Sequence, residues 1–258
     1  MMADSIWEDL EVTSDEPVMR EIGPLRIWFR KIYNEIWIAS KESLNHNKIV
    51  DPVNELDWSR WVMKNEKFKL RLLPVFPDNP IIVRPEYPFR VIRNAKARIY
   101  TIIPVWVRIT SVDAPNDIIT EIPTRTLSKT WFGDPTDGEL CYWISTTARR
   151  NIDDEKIQDN LAICSLNIHN KSESDLQVEK ICFRVERLTI FKTDKQLWAD
   201  DTDISYRGSE QHSDITMTGK APSEVKGAVK FGLPRNHIKK SIATRTFQRL
   251  KGIPLLWE

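Results

Sequence analysis

Residues 126–150 combine strand-forming and turn-forming residues more densely than the rest of the sequence, and they read TLSKTWFGDPTDGELCYWISTTARR. Leu127–Phe132 and Glu139–Ser145 are rich in the β-branched and aromatic residues that favour strands. Between them, residues 133–138 begin and end with glycine and contain a proline, which are residues that suit a chain reversal. The pattern predicts a β-hairpin.

Four aromatic residues lie on this hairpin: Trp131, Phe132, Tyr142 and Trp143. Because successive side chains of a strand point to opposite faces, we expect two of the four to face a core and two to face elsewhere. Trp143 alternates with Cys141 on the second strand, and we expect both to be buried. The cysteine is therefore interpreted as an inert thiol rather than a nucleophile.

The same segment carries a family resemblance, through Ser128, Lys129, the aromatic residue before Gly133, Pro135, Gly138, Cys141 and Trp143. These residues resemble the central signature of a family of archaeal and bacterial proteins called domain of unknown function 432. Tyr142 departs from the pattern, because a basic residue is expected after the cysteine. The resemblance extends over nearly the whole chain. It implies no activity, but some members resemble, in gene neighbourhood or fusion, partners of small mechanosensitive channels.

Elsewhere, alternation of apolar and polar residues also favours strands. Leu25, Ile27 and Phe29 alternate with polar residues or tryptophan, which is typical of a half-buried strand. Five prolines between residues 74 and 88 exclude a helix there. The end of the chain differs, since Ile238, Ile242, Ala243, Phe247 and Leu250 form an apolar stripe at helical spacing.

The predicted fold class is mostly β, with two packed antiparallel β-sandwich-like lobes and a C-terminal α-helix. The expected segments are an acidic N-terminal arm at residues 1–19, a first lobe with the hairpin at 20–150, a second β lobe at 158–222 and a basic helix at 233–252.

Composition narrows the functional classes. The chain has 258 residues and a formal net charge of +1, so its overall charge does not favour nucleic acid as a partner. Three cysteines without C-x-x-C spacing suit a reducing compartment, and we expect a cytoplasmic protein. We see no export signal and no transmembrane segment. With eight glycines, the chain shows no glycine-rich phosphate loop.

Residues that could carry catalysis or bind metal are sparse. The four histidines lack the spacings of metal sites. Asp194, Asp200, Asp201 and Asp203 could supply oxygen ligands to a hard cation, but we interpret them as solvated turn residues. We therefore expect no metal, no cofactor and no enzymatic activity.

Aromatic and basic residues supply a candidate interaction surface. Ten tryptophans are well above the usual share of roughly 1%. Trp28 lies on the polar face of its strand, and either Trp131 or Phe132 must face away from the core, so we expect one or two exposed aromatic residues. Eight cations lie between Lys226 and Lys251, where the helix could contact anionic lipid, phosphates or the acidic arm of another copy. The candidate surface comprises Trp28, Trp131, Arg235, Lys239, Lys240, Arg245 and Arg249.

The sequence favours a non-catalytic interaction or regulatory module that binds a protein partner or a second copy of itself. Exposed tryptophans leave open a carbohydrate-binding or carbohydrate-processing β-sandwich. The basic C-terminal segment and the family resemblance leave open a membrane-peripheral partner of a small mechanosensitive channel.

Overall fold

The computed structural model describes residues 6–43, 53–152, 157–208, 212–236, 241–244 and 246–247. Their structure is mostly β, as predicted, with two three-residue 3-10 helices at Val53–Glu55 and Val185–Arg187. The strands, in chain order, are β1 Asp9–Glu11, β2 Val18–Ile22, β3 Leu25–Ile32, β4 Glu35–Glu42, β5 Ser59–Val62, β6 Lys69–Val75, β7 Ile81–Pro85, β8 Phe89–Val91, β9 Lys96–Pro104, β10 Trp106–Ser111, β11 Ile118–Pro123, β12 Ser128–Gly133, β13 Gly138–Ala148, β14 Leu161–Asn170, β15 Leu176–Val178, β16 Ile181–Phe183, β17 Ile190–Lys192, β18 Leu197–Ala199, β19 Thr202–Tyr206, β20 Ser213–Met217, β21 Val229–Gly232 and β22 Ser241–Thr244.

The chain divides into two compact units, and each unit is built from three segments that are separated in the sequence. The first unit comprises Met1–Pro77, Pro104–Thr126 and Ile157–Leu161, and the second comprises Asp78–Ile103, Leu127–Lys156 and Ala162–Glu258. Both units therefore draw on residues within the expected lobe at 20–150. The expected arm at 1–19 contains β1, which pairs with β6, and the first residues of β2.

The first unit contains two four-stranded sheets, in the orders β1-β6-β10-β11 and β2-β3-β4-β5. β3 and β4 pair antiparallel along their full length, from Leu25 opposite Glu42 to Ile32 opposite Glu35. Leu25, Ile27 and Phe29 of β3 are buried, as the alternation predicts, but Trp28 is buried as well. This burial is the main source of stability for such a sheet.

The second unit contains a four-stranded sheet in the order β12-β13-β7-β16, which carries the hairpin. A larger sheet has the order β21-β17-β18-β14-β19-β20-β22, with β9 also paired to β14, and β8 pairs with β15. β13 pairs with β7 in parallel, and β14 pairs in parallel with both β18 and β19. The expectation of purely antiparallel lobes is therefore correct only in part. β14 is buried along most of its length and begins with the apolar run Leu161–Cys164, as is common for strands flanked by parallel neighbours.

The predicted C-terminal helix is wrong for the described residues. Ser241–Thr244 forms β22 and pairs antiparallel with β20, so that Ile242 lies opposite Ile215. The apolar stripe at helical spacing misled the prediction, whereas the β-branched Ile242 and Thr244 favour a strand when an edge is available. The expected helix also included residues 237–240, 245 and 248–252, which lie outside the described residues.

In the described part of the chain, neither helix has the length and apolar character that would be needed to cross a bilayer.

Candidate functional site

The β12–β13 hairpin is paired as the sequence predicts. Its register runs from Ser128 opposite Trp143 to Gly133 opposite Gly138. Since paired residues point to the same face of a sheet, the hairpin has two distinct faces. One face carries Trp131 opposite Leu140, and the other carries the pairs Thr130–Cys141, Phe132–Glu139 and Ser128–Trp143.

The first face exposes apolar side chains at the tip of the hairpin. Trp131 is 52% exposed and Leu140 is 45% exposed, and Lys129 lies two residues from Trp131 on the same strand face. We call Lys129, Trp131 and Leu140 the hairpin surface. Adjacent exposed apolar residues on a protein surface are a common mark of a binding site.

On the other face, Trp143 is 41% exposed, although we expected it to be buried like Cys141. The buried Phe132 and Cys141 share this face but lie nearer the tip. Of the four hairpin aromatics, Phe132 and Tyr142 are buried while Trp131 and Trp143 are exposed. Each face of the hairpin carries one buried and one exposed ring, so alternation alone does not decide which rings are buried.

The position of Trp131 depends on the turn. Its Nε1 donates a hydrogen bond to the carbonyl oxygen of Asp134 at 2.9 Å, and its ring lies directly over Gly138. Gly133 has a φ of +106°, which glycine adopts without strain. The hydrogen bond to Asp134 and the missing side chain at Gly138 therefore fix the exposed indole.

β12 is an end strand of its sheet within the described residues. An end strand presents backbone N–H and C=O groups along one side, and these can pair with another chain. The candidate site therefore combines an open edge with the apolar side chains of the hairpin surface.

Beneath the second face, two cysteines from different strands meet. The Sγ atoms of Cys141 and Cys182 are 3.8 Å apart, and both residues are buried. β13 and β16 flank β7 on either side, and Ile82 of β7 lies opposite both Trp143 and Cys182. Ile82 and Phe132 pack with the two cysteines in one apolar cluster.

An ion pair between the buried Arg184 and the half-exposed Glu139 lies next to the two thiols. Arg184 donates from Nη1 and Nη2 to the two carboxylate oxygens of Glu139, both at 2.5 Å, and from Nη2 to Thr244 Oγ1 at 2.8 Å. Burial alone would lower the pKa of Arg184, but these hydrogen bonds and the nearby negative charges raise it above its ordinary value. Arg184 therefore remains a cation and holds the Glu139 carboxylate in place.

The thiol of Cys182 is also perturbed. The hydrogen bond with Cys141 is the main cause that raises the pKa of Cys182 well above its ordinary value, and burial is the second cause. The positive charge of Arg184 acts in the opposite direction. Cys164 lies elsewhere, on β14, where burial and the charge of Asp200 raise its pKa in the same direction. All three cysteines are buried free thiols, as the sequence predicted.

We did not anticipate from the sequence that Glu139, Cys141, Cys182 and Arg184 would form one cluster. A signal was present, because Glu-x-Cys on β13 places a carboxylate and a thiol on the same strand face, and Cys-x-Arg places a cation directly after β16. Their meeting depends on the insertion of β7 between β13 and β16, which no local pattern indicates.

Of the predicted interaction residues, the structure describes Trp28, Trp131 and Arg235. Trp28 is only 6% exposed, and Trp131 alone of the two tryptophans lies at the surface. Arg235 is half-buried, and its backbone N–H donates to the carbonyl of Glu186 at 3.0 Å. Lys239, Lys240, Arg245 and Arg249 lie outside the described residues.

Trp28 is buried although polar residues flank it in the sequence. It lies on the middle strand pair of its sheet, opposite Met19 of β2 and Ala39 of β4. A small residue and a flexible apolar residue at these positions leave room for the indole ring. Trp28 shares a strand face with Arg26 and Arg30, but this pattern did not show that the face is exposed to solvent at Trp28.

The first unit has a different aromatic cluster. The Arg30 guanidinium lies 4.2 Å from the centroid of Trp37 and 4.3 Å from that of Trp58, and Arg60 lies 4.5 Å from Trp37. Arg30 and Arg60 are directly opposite Trp37 on the two neighbouring strands. The two guanidinium groups therefore pack against the Trp37 ring in cation–π contacts.

A second polar cluster lies in the second unit, around Arg98. Its guanidinium donates to Tyr100 Oη at 2.8 Å, Asn167 Oδ1 at 2.7 Å, Asp201 Oδ1 at 2.8 Å and Glu224 Oε1 at 2.6 Å. Burial alone would lower the pKa of Arg98, but the hydrogen bonds to Tyr100 and Glu224 raise it. These four acceptors bind the N–H groups of the Arg98 guanidinium, so we interpret the cluster as a structural network.

The interpretation of the aspartate run as solvated turn residues is wrong for Asp200 and Asp201. Asp200 is 1% exposed and accepts the backbone N–H groups of Thr189 at 2.7 Å and Gly219 at 2.8 Å. Burial raises its pKa to about 6. Asp201 accepts from Arg98 and from Ser165.

Comparison with protein families identifies one match, a family described as a protein of unknown function (DUF432), whose model covers residues 6–251. The chain belongs to this family. The resemblance noted on the hairpin is thereby confirmed. In this DUF432 member, the signature residue Gly138 lies against the Trp131 ring, and the signature residue Cys141 contacts Cys182 in the buried thiol cluster. Comparisons with curated proteins and with solved structures found no match.

Proposed function

We propose that this protein is a non-catalytic interaction module in which β12 binds another polypeptide chain by strand addition. The observation that carries the proposal is the open edge of β12 beside the exposed pair Trp131 and Leu140. In strand addition, main-chain hydrogen bonds supply affinity and alternate side chains supply specificity.

Two other edge strands of the described chain, β1 and β2, carry more charge than β12. β1 presents Asp9 and Glu11, and β2 presents Arg20 and Glu21, whereas β12 has one charged residue, Lys129. Charged side chains on an edge discourage pairing with another chain. β12 is less protected than β1 and β2, and it lies beside the exposed side chains of Trp131 and Leu140, which favours it as a docking strand.

The occupant we propose is a second copy of this chain. An antiparallel pair of β12 strands centred on Thr130 would place Lys129 of each copy opposite Trp131 of the other, on the same face. This two-fold arrangement makes the strand self-complementary and allows two cation–π contacts. A six-residue edge with one apolar patch is small, so the association should be weak and reversible.

The test is the molar mass in solution over a range of protein concentrations, measured by light scattering after gel filtration. We expect the wild-type mass to rise from monomer towards dimer as the concentration rises. Trp131→Ala and Leu140→Lys should remain monomeric, while Tyr87→Ala, which removes a different exposed aromatic ring, should behave as wild type. A wild-type monomer at every concentration would contradict the second copy as occupant.

The carbohydrate-binding hypothesis keeps one supporting observation, the exposed face of Trp131. The Trp37 ring is a poor sugar platform because Arg30 and Arg60 already lie against it. Quenching of tryptophan fluorescence by sugars in the wild type, and its loss in Trp131→Ala but not in Leu140→Lys, would favour this function over strand addition.

A further inference from the structure

Glu139, Cys141 and Cys182 bring three metal-ligating atoms together. The two Sγ atoms are 3.8 Å apart, the Cys182 Sγ is 3.9 Å from Glu139 Oε1, and all three ligand atoms lie within 4.8 Å of one another. The cluster is independent of the open edge of β12, so it can be tested separately from the proposed interaction.

These separations suit a tetrahedral ion. With Zn–S bonds of about 2.3 Å and Zn–O bonds of about 2.0 to 2.2 Å, the edges of a tetrahedron measure about 3.5 to 3.8 Å. The observed sulfur–sulfur distance already matches this range, and the sulfur–oxygen distance of 3.9 Å exceeds it only slightly. The third separation, between Cys141 Sγ and the Glu139 carboxylate, is within 4.8 Å, so the Glu139 side chain would have to rotate towards Cys141 to complete the geometry.

The sheet fixes the three ligands in advance. Glu139 and Cys141 lie two residues apart on β13 and face the same way, and β7 sets the distance from β13 to β16, which carries Cys182. Ile82 and Phe132 close the apolar side of the cluster. Ligands held by rigid strands and packed neighbours lose little freedom when they bind an ion.

The charges of the cluster also balance. Two thiolates and one carboxylate carry three negative charges, and a divalent ion together with Arg184 carries three positive ones. A neutral total removes most of the cost of placing charges in a largely buried site. Arg184 also orients Glu139 through two hydrogen bonds, as groups around a metal often orient its ligands.

We propose that Glu139, Cys141 and Cys182 form a binding site for one thiophilic divalent metal ion, Zn²⁺. Two sulfur ligands select against Mg²⁺ and Ca²⁺, which take oxygen ligands. Glu139 is half-exposed, so the ion can enter from its side, and a water molecule can provide the fourth ligand.

The test uses Co²⁺ as a spectroscopic probe for the site in reduced protein that has been treated with a chelator. We expect a thiolate-to-cobalt charge-transfer band in the near ultraviolet that saturates at one ion per chain and disappears when Zn²⁺ is added. Cys141→Ser and Cys182→Ser should lose the band. Cys164→Ser should keep it, since that buried cysteine lies on β14 outside the cluster.

Glu139→Gln supplies a second variant in case a serine substitution prevents folding, which circular dichroism would show. It retains an acceptor for Arg184 and removes the anionic ligand, so the Co²⁺ titration should shift to higher ion concentration. The proposal is overturned if reduced wild-type protein shows no band. It is also overturned if the band is unchanged in the folded variants of the three proposed ligands.

Discussion

The indole of Trp131 lies against the backbone of Gly138: a Cβ atom at Gly138 would come within 2.3 Å of Trp131 Nε1 and within 2.7 Å of the carbonyl oxygen of Phe132. No larger residue fits at this position without moving the ring. The exposed orientation of Trp131 is thus a consequence of the glycine that pairs with Gly133 at the end of the hairpin.

Gly138→Ala should destabilise the protein by about 1 to 3 kcal/mol, the usual cost of forcing extra atoms into a filled space. Urea unfolding measures the free energy change, and tryptophan fluorescence reports the displacement of the ring. The double variant Gly138→Ala with Trp131→Ala should recover part of the loss. Additive effects of the two substitutions would mean that the ring does not limit this position.

Trp143→Ala should cost only about 1 kcal/mol, because the ring is partly exposed, whereas Phe132→Ala should cost about 3 to 5 kcal/mol as a buried aromatic. Both residues lie on the same face of the hairpin, so the pair is a matched comparison. Thermal or urea unfolding would measure the difference. Equal losses would contradict the observed difference in burial.

The hairpin was predictable because its determinants are local. Turn residues 133–138 and the strands on either side specify the reversal within one short segment. The burial of Trp28 was not predictable in this way, because its neighbours Met19 and Ala39 lie on other strands. Alternation shows which residues share a face, but it does not show what covers that face.

The buried cluster was harder to predict, for a topological reason. Glu139 and Arg184 are 45 residues apart and meet because β7 separates β13 from β16. The parallel pairing of β7 with β13 joins segments that are distant in sequence. Likewise, the apolar spacing around Ile242 fits a helix, but the chain pairs there as β22 with β20.

Asp200 should make stability depend on pH. Its folded-state pKa of about 6 lies above its ordinary value of 3.8, so the folded protein binds the proton more tightly. The resulting stabilisation is fully present below the ordinary pKa and is lost as pH rises through about 6, with a total of roughly 3 kcal/mol.

The measurement for Asp200 is urea unfolding at a series of pH values for the wild type and for Asp200→Asn. The asparagine side chain has one acceptor oxygen and so loses one of the two hydrogen bonds from backbone N–H groups. That loss of stability in the variant does not vary with pH. The stability difference between the two proteins should therefore change between pH 4 and pH 7, as the wild type alone loses stability from this residue. A constant difference would show that Asp200 titrates normally.

Arg98→Lys should destabilise the second unit by about 1 to 3 kcal/mol, since an ammonium group cannot reach the acceptors that the guanidinium fork contacts. Arg93→Lys is the control, because Arg93 makes an exposed ion pair with Glu173 at 2.7 Å. Exposed pairs contribute about 0 to 1 kcal/mol. Similar losses for the two variants in urea unfolding would contradict the assignment of Arg98 as the centre of a structural network.

Amide hydrogen exchange of β12 tests the central claim most directly, because strand addition must protect its backbone N–H groups. Exchange of residues Ser128–Gly133 should slow as the wild-type concentration rises, while the exchange of β1 should stay the same. Leu140→Lys should abolish the concentration dependence. Exchange of β12 at one rate in dilute and concentrated wild-type protein would contradict association through this edge.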